Sequence, residues 1–201
     1  MKNKMLVLGI LLIIAGIGLM IYYNIQNNKI DASRINIHDI TSSGAKNENI
    51  NVYLNASYLV DNIANYENDT KNSFYVVFGD EVQYLVYMNN NLAKKINNYL
   101  LDNPSSTYKI VGITRKIPKD LEDYGKQFVK KWLDANHNHE ENEDSDSHEI
   151  TTDEFYEYFG YVYLDNIVKV NKSIEYILYV AYIIFLIGLL IILKEIFKNV
   201  W

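Results

Sequence analysis

Cysteine does not occur in the 201 residues. Its absence excludes disulfide staples, cysteine-based zinc sites, thiol nucleophiles and a lipid-modified N-terminal cysteine together. Positive charge is also scarce. Lys and Arg number 19 against 25 Asp and Glu, a formal charge of −6, and this excludes a nucleic-acid binder, because such binding rests on clustered cations that displace counterions from phosphates. Several chemical signatures are missing as well. There is no G-x-S-x-G nucleophile elbow, no Walker loop and no dinucleotide fingerprint, and the Gly16-Ile17-Gly18 pair falls inside an apolar run.

Apolar sequence, by contrast, is concentrated in two places. Residues 5–23 (MLVLGILLIIAGIGLMIYY) carry no charge over 19 positions, and at ~1.5 Å per residue a helix of that length spans about 28 Å, close to the ~30 Å hydrocarbon layer of a bilayer. The run is longer than the apolar core of a signal peptide and lacks a small-residue cleavage site after Tyr23, so it reads as an uncleaved anchor. A second span is expected over 174–193, where Tyr176 to Leu193 holds 18 uncharged residues with no polar stripe. Lys2 and Lys4 precede the first span, and Lys194 and Lys198 follow the second. The positive-inside rule therefore predicts cytoplasmic tails at 1–4 and 194–201, with the intervening chain outside the plasma membrane. Gly9 and Gly16 on one helix, and Ala181 and Gly188 on the other, are each seven apart. Small residues at that spacing can bring two helix backbones together.

Between the spans, residues 24–49 are rich in Asn, Ser and Lys without a sustained period and read as a spacer, so folded structure is expected from 50 to 173. Val52 and Leu54 alternate as in a short strand. Ala56, Leu59, Val60, Ile63 and Ala64 follow at helical spacing. SFYVVFGD and VQYLVYM, around a Gly-Asp turn, predict a β-hairpin. Asn89 to Asn91 can cap a helix with Leu92, Ile96, Tyr99 and Leu100 on one face, stopped by Asn103-Pro104. After a strand at 107–114, Pro118 opens a helix to Leu133 that would bury Leu121, Tyr124, Phe128 and Trp132. Thr151 and Glu154 have capping-box spacing before a short helix ending at Gly160, and 161–170 reads as a last extended segment. The order predicts an α+β domain with a mixed or antiparallel sheet covered on one face.

One stretch could carry chemistry. Residues 136–149 place His137, His139 and His148 among six carboxylates. Imidazole and carboxylate are ligands for Zn²⁺, Ni²⁺ or Mn²⁺, so weak divalent-metal binding is conceivable on ligand type, and with it a metal-dependent envelope hydrolase. The spacing forms no helical H-E-x-x-H pair, and with no apolar residue between Ala135 and Ile150 the region 135–149 reads first as an acidic, solvated loop without a resident cofactor. The 18 tyrosines read as core packing, the alternative being exposed rings that stack on a ligand.

The run from Phe74 to Leu133, which includes YKIVGITRKIPKDLEDYGKQFVKKWL, and the later EYFGYVYLD resemble uncharacterised two-helix membrane-anchored proteins of low-GC Gram-positive bacteria with an extracytoplasmic domain. The resemblance implies a bacterial plasma-membrane location and no particular activity. The expectation is a non-catalytic binding or accessory module. Its partners would be the lipid bilayer and another membrane or envelope protein.

Overall fold

The computed structural model describes residues 2–44, 46–79, 82–137, 149–168 and 172–198. Among the described residues the elements run α1 (Lys2–Ala32), β1 (Ile35–Asn36), α2 (Ile37–Thr41), β2 (Asn51–Ala56), β3 (Tyr58–Ala64), β4 (Asn72–Gly79), β5 (Val82–Asn89), α3 (Asn90–Asp102), β6 (Tyr108–Lys116), α4 (Lys119–His137), α5 (Thr152–Phe159), β7 (Val162–Asp165) and α6 (Lys172–Lys198). They group into two units, Met1–Ser33 with Asn171–Trp201, and Arg34–Val170.

The first unit is the pair α1 and α6, each long and apolar enough to cross a membrane. The small residues mark where the two helices meet. A Cβ on Gly9 would stand 2.7 Å from Ile192 Cγ1 and 3.0 Å from the Gly188 carbonyl, and one on Gly16 would stand 3.0 Å from the Ala181 carbonyl. Ala181 is fully buried. Absence of side-chain bulk at these points is what lets the backbones touch. α1 runs on to Ala32, past the end of its apolar run at Tyr23, because residues 24–32 contain neither Gly nor Pro and an established helix extends at little cost. It closes where Ser33 Oγ and N both donate to the Ile30 carbonyl, at 2.8 and 3.1 Å.

In the second unit a seven-stranded sheet has the order β1-β2-β6-β7-β5-β4-β3. It is mixed: β1 with β2 and β5 with β7 are parallel, the remaining pairs antiparallel. The sheet is curled by one bent segment. β2 pairs with β6 at one side while its continuation β3 pairs with β4 at the other. Ser57 sits at the bend, where its N and Oγ both donate to the Phe78 carbonyl, at 2.8 and 3.1 Å. Gly79 allows the approach, since a Cβ there would lie 2.5 Å from the Asn55 carbonyl.

Three expectations are corrected here. Residues 24–49 are not a spacer: after α1, Ile37 and Ile40 of α2 are buried in the core, so this unit begins at Arg34 rather than near Ile50. Residues 56–64 form a strand and not a helix. Leu59 packs on one side of the sheet and Val60, Ile63 and Ala64 on the other, and in a bulged strand buried on both sides adjacent apolar residues reproduce helical spacing. The sheet is also covered on both faces. Ile37, Ile40, Ala93, Ile96 and Leu100 of α2 and α3 close one core, and Leu121, Val129, Phe155 and Phe159 of α4 and α5 close the other. The continuous burial of β4 and β5 is what a two-sided layer requires.

Local signals operate as read. Asn89 caps α3, its side chain accepting from the Asn91 N–H. Thr151 and Glu154 form a complete capping box on α5, and the helix ends at Gly160 with φ of 68°, a conformation that favours glycine. On α4 the buried stripe is Leu121, Gly125 and Val129, whereas Tyr124 and Trp132 are 49% and 38% exposed. The stripe is turned by one residue from the expected face because α5 seats Phe155 against Gly125.

Candidate functional site

The tyrosines separate into two populations. Tyr75, Tyr84, Tyr87 and Tyr163 are buried, and around Phe74 the rings of Tyr66, Tyr87 and Tyr163 meet at centroid distances of 4.6 to 5.2 Å. This cluster is core packing with its hydroxyls satisfied. Tyr87 donates to Asp69, and Tyr66 and Tyr163 share a 3.3 Å hydrogen bond. Burial pushes the Tyr163 and Tyr87 phenols up, and the Asp69 carboxylate raises Tyr87 further. Asp69 is held down at about 2, first by the Tyr87 hydroxyl and then by the Asn72 side chain. Because its folded pKa lies below the unfolded carboxylate value of about 3.9, the stability it contributes is complete above that value and drains away as pH falls towards about 2. Acid unfolding between these limits should therefore be less steep in Asp69→Asn, which a pH series of urea titrations measures.

A second polar cluster joins α4 to α5. Lys126 Nζ lies 2.8 Å from Glu122 Oε1 and donates to Thr152 Oγ1 at 2.8 Å, while Thr152 and Tyr156 donate to the two Glu122 oxygens at 2.9 and 3.1 Å. Burial acts to raise Glu122, but these three donors outweigh it and the carboxyl is lowered overall. The cluster ties α4 and α5 together through these contacts.

Of the residues expected to hold a metal, only His137 lies among the described residues. His137 is the last residue of α4, so this helix reaches into the region expected to be a loop, and His139 and His148 lie outside the described residues. Among the described residues no three His, Asp or Glu side chains are grouped to hold a metal ion. The remaining histidine, His38, has Nδ1 3.0 Å from the Tyr84 hydroxyl. Gly9, Gly16, Ala181 and Gly188 lie together in the helix pair described above.

Among the described residues, one surface feature with the form of a binding site is a groove of about 870 Å³. Ser57, Tyr58, Val60 and Phe78 form its strand wall, and Phe128, Lys131 and Trp132 its helix wall. Each residue is there for a local reason. β3 and β4 pair Tyr58 with Phe78 in register, bringing their rings to 6.1 Å. The one-residue rotation of α4 takes Trp132 out of the core and rests it edge-on to Tyr158 at 6.5 Å. Tyr58 remains 57% exposed. Lys131 is exposed at the same wall, and no carboxylate among the described residues pairs with it. Sequence reasoning missed this site. The helical period points Trp132 at the core, where it does not lie, and places Val60 on a helix, while Phe128 does pack against the core from the groove wall; the signal in the sequence is the surplus of aromatic residues.

Beside the groove, Gln83 stands opposite Phe78 in the β4–β5 register, and opposed residues project to the same face of a sheet. Its side chain is 8% exposed and its Oε1 has no hydrogen-bond partner among the described residues. An orphaned buried acceptor is destabilising, so Gln83→Met should raise stability by about 1 kcal/mol, read as an upward shift in the urea midpoint.

Comparison with protein families, curated proteins and solved structures finds no match to this chain.

Proposed function

We propose that this chain is a membrane-anchored binding module, with α1 and α6 in the bilayer and the α+β unit presented outside the plasma membrane to a ligand or to another envelope protein. One observation carries the reading. The helices are apolar on their outward faces as well as where they meet: Leu11, Ile14 and Leu190 are 57%, 60% and 65% exposed. Water penalises such a surface and hydrocarbon does not. Lys2 and Lys4 before the first apolar run, with Lys194 and Lys198 after the second, favour the cytoplasmic side for both flanks. The resemblance to anchored proteins of low-GC Gram-positive bacteria agrees with a plasma-membrane setting. Within the outer unit, binding is supported by the groove, whose lining combines four aromatic rings with a lysine.

The lack of cysteine makes the topology directly testable. Single cysteines at Ser105 and at Lys198, both exposed, are treated in intact cells with a membrane-impermeant maleimide. Ser105→Cys should label at once and Lys198→Cys only after permeabilisation. Equal labelling of both, or the reverse order, overturns the reading.

A further inference from the structure

We propose that the groove between β3, β4 and α4 takes a small planar aromatic anion, which makes it the ligand site of the binding module proposed above and rests on that reading. Four rings line the groove, Tyr58 and Phe78 on one wall and Phe128 and Trp132 on the other. Aromatic walls suit a flat ring that can stack or meet them edge-on. Tyr58 and Trp132 are 57% and 38% exposed, so a ligand gains by removing apolar surface from water that folding leaves uncovered. The volume of about 870 Å³ falls in the range of small-molecule sites.

The sign of the charge follows from Lys131. Lys131 belongs to the groove lining and has no carboxylate partner among the described residues, in contrast to Lys126, which pairs with Glu122 at 2.8 Å. A carboxylate on the ligand would complete the pair. The chain's net charge of −6 opposes an anion at long range, so the attraction has to be this local contact. A peptide from a partner protein fits less well. Strand addition would use the outer edge of β3, and the pairing of β3 is broken by register shifts between Leu59 and Asn62 and between Asn62 and Ala64. Bulges of this kind twist an edge out of line for a new strand.

The test uses the full chain in lipid nanodiscs, with empty nanodiscs subtracted, and isothermal titration of three probes of one shape: 2-naphthoate, 2-naphthalenemethanol and 2-naphthylmethylammonium. The expected order is anion, then neutral, then cation, with naphthoate about fivefold tighter than the alcohol, the scale of one partly exposed ion pair. Lys131→Gln should bring naphthoate to the level of the alcohol, and Lys131→Arg should retain the difference. Trp132→Leu should weaken the anion and the alcohol alike, by about tenfold, with an unchanged far-ultraviolet spectrum as the control for folding. Equal binding of all three probes, abolished by Trp132→Leu, would overturn the anion assignment while leaving the groove as a binding site. No saturable binding above empty discs would overturn the site itself, whereas the cysteine labelling above decides the anchored topology separately. Binding of an acidic aromatic peptide in place of naphthoate would also overturn the small-molecule assignment.

Discussion

Phe155→Ala should lower the stability of the α+β unit by about 3–5 kcal/mol, the range for deleting a fully buried aromatic side chain. Phe155 has no exposed surface and lies where α4, α5 and the sheet converge. Its ring is 5.3 Å from Phe159 and 5.2 Å from Tyr156, and it occupies the space left open by Gly125, where a Cβ would stand 2.3 Å from the Phe155 ring. Nothing on α4 can fill the vacancy, because the residue facing it has no side chain. A domain of this size has about 5–15 kcal/mol in total, so the variant should be close to unfolding at 37 °C. Phe155→Leu, which keeps most of the volume, should cost less than about 1.5 kcal/mol. Urea midpoints of the two variants against the parent chain measure the difference. The effect reaches the groove as well: α5 sets the rotation of α4, and that rotation exposes Trp132 and Lys131. Loss of naphthoate binding should therefore accompany Phe155→Ala even where folding survives. A cost below about 1 kcal/mol would show that α5 is not docked on Gly125.

The second large effect is expected in the helix pair. Gly9→Ile and Gly188→Ile should each weaken the association of α1 with α6 by about 1–3 kcal/mol, the usual cost of overpacking. The obstacles include backbone. A Cβ on Gly9 would be 3.0 Å from the Gly188 carbonyl, and one on Gly188 would be 2.8 Å from the Gly9 carbonyl and 3.0 Å from the Ile13 amide nitrogen. No side-chain rotation relieves such contacts, so the helices must separate. Because both substitutions strike the same point, their effects should be less than additive. Gly18 is the internal control: a Cβ there meets nothing within 4 Å, and Gly18→Ala should be neutral or slightly stabilising. Energy transfer between dyes on cysteines at Asn27 and Tyr176, followed through an SDS titration of the full chain, reports the separation. Equal behaviour of Gly9→Ile and Gly18→Ala would sink the assignment of Gly9 to the contact.

What could be read before any coordinates is what short-range physics decides. The hairpin of β4 and β5, the Asn89 cap, the capping box of Thr151 and Glu154 and the stop at Gly160 each involve groups a few residues apart, so the necessary atoms are neighbours in the chain. The two apolar stretches were legible for the same reason, since transfer from water to hydrocarbon adds residue by residue. The spacer and the helix at 56–64 were misread because their structure depends on remote partners. Ile37 and Ile40 gain order only by covering a sheet, and residues 58–64 become a strand only because β4 supplies hydrogen bonds on one side and cores lie on both faces.

The same distinction governs the site. The aromatic content was visible, but which rings face water was not, and the periodicity placed Phe128 and Trp132 in the core. Phe128 does keep contact with the core, but Trp132 does not, and its exposure follows from one helix–helix contact between Gly125 and Phe155, residues thirty positions apart. Likewise β7 reads from sequence only as a closing extended segment, yet it lies between β5 and β6 in the middle of the sheet. Amino-acid order by itself determined the apolar helices, the helix caps and the paired strands of the hairpin, because those energies are local. Only the tertiary structure decided the two-faced curled sheet, the orientation of α4 and the aromatic groove, because each depends on burial shared between segments far apart in the chain.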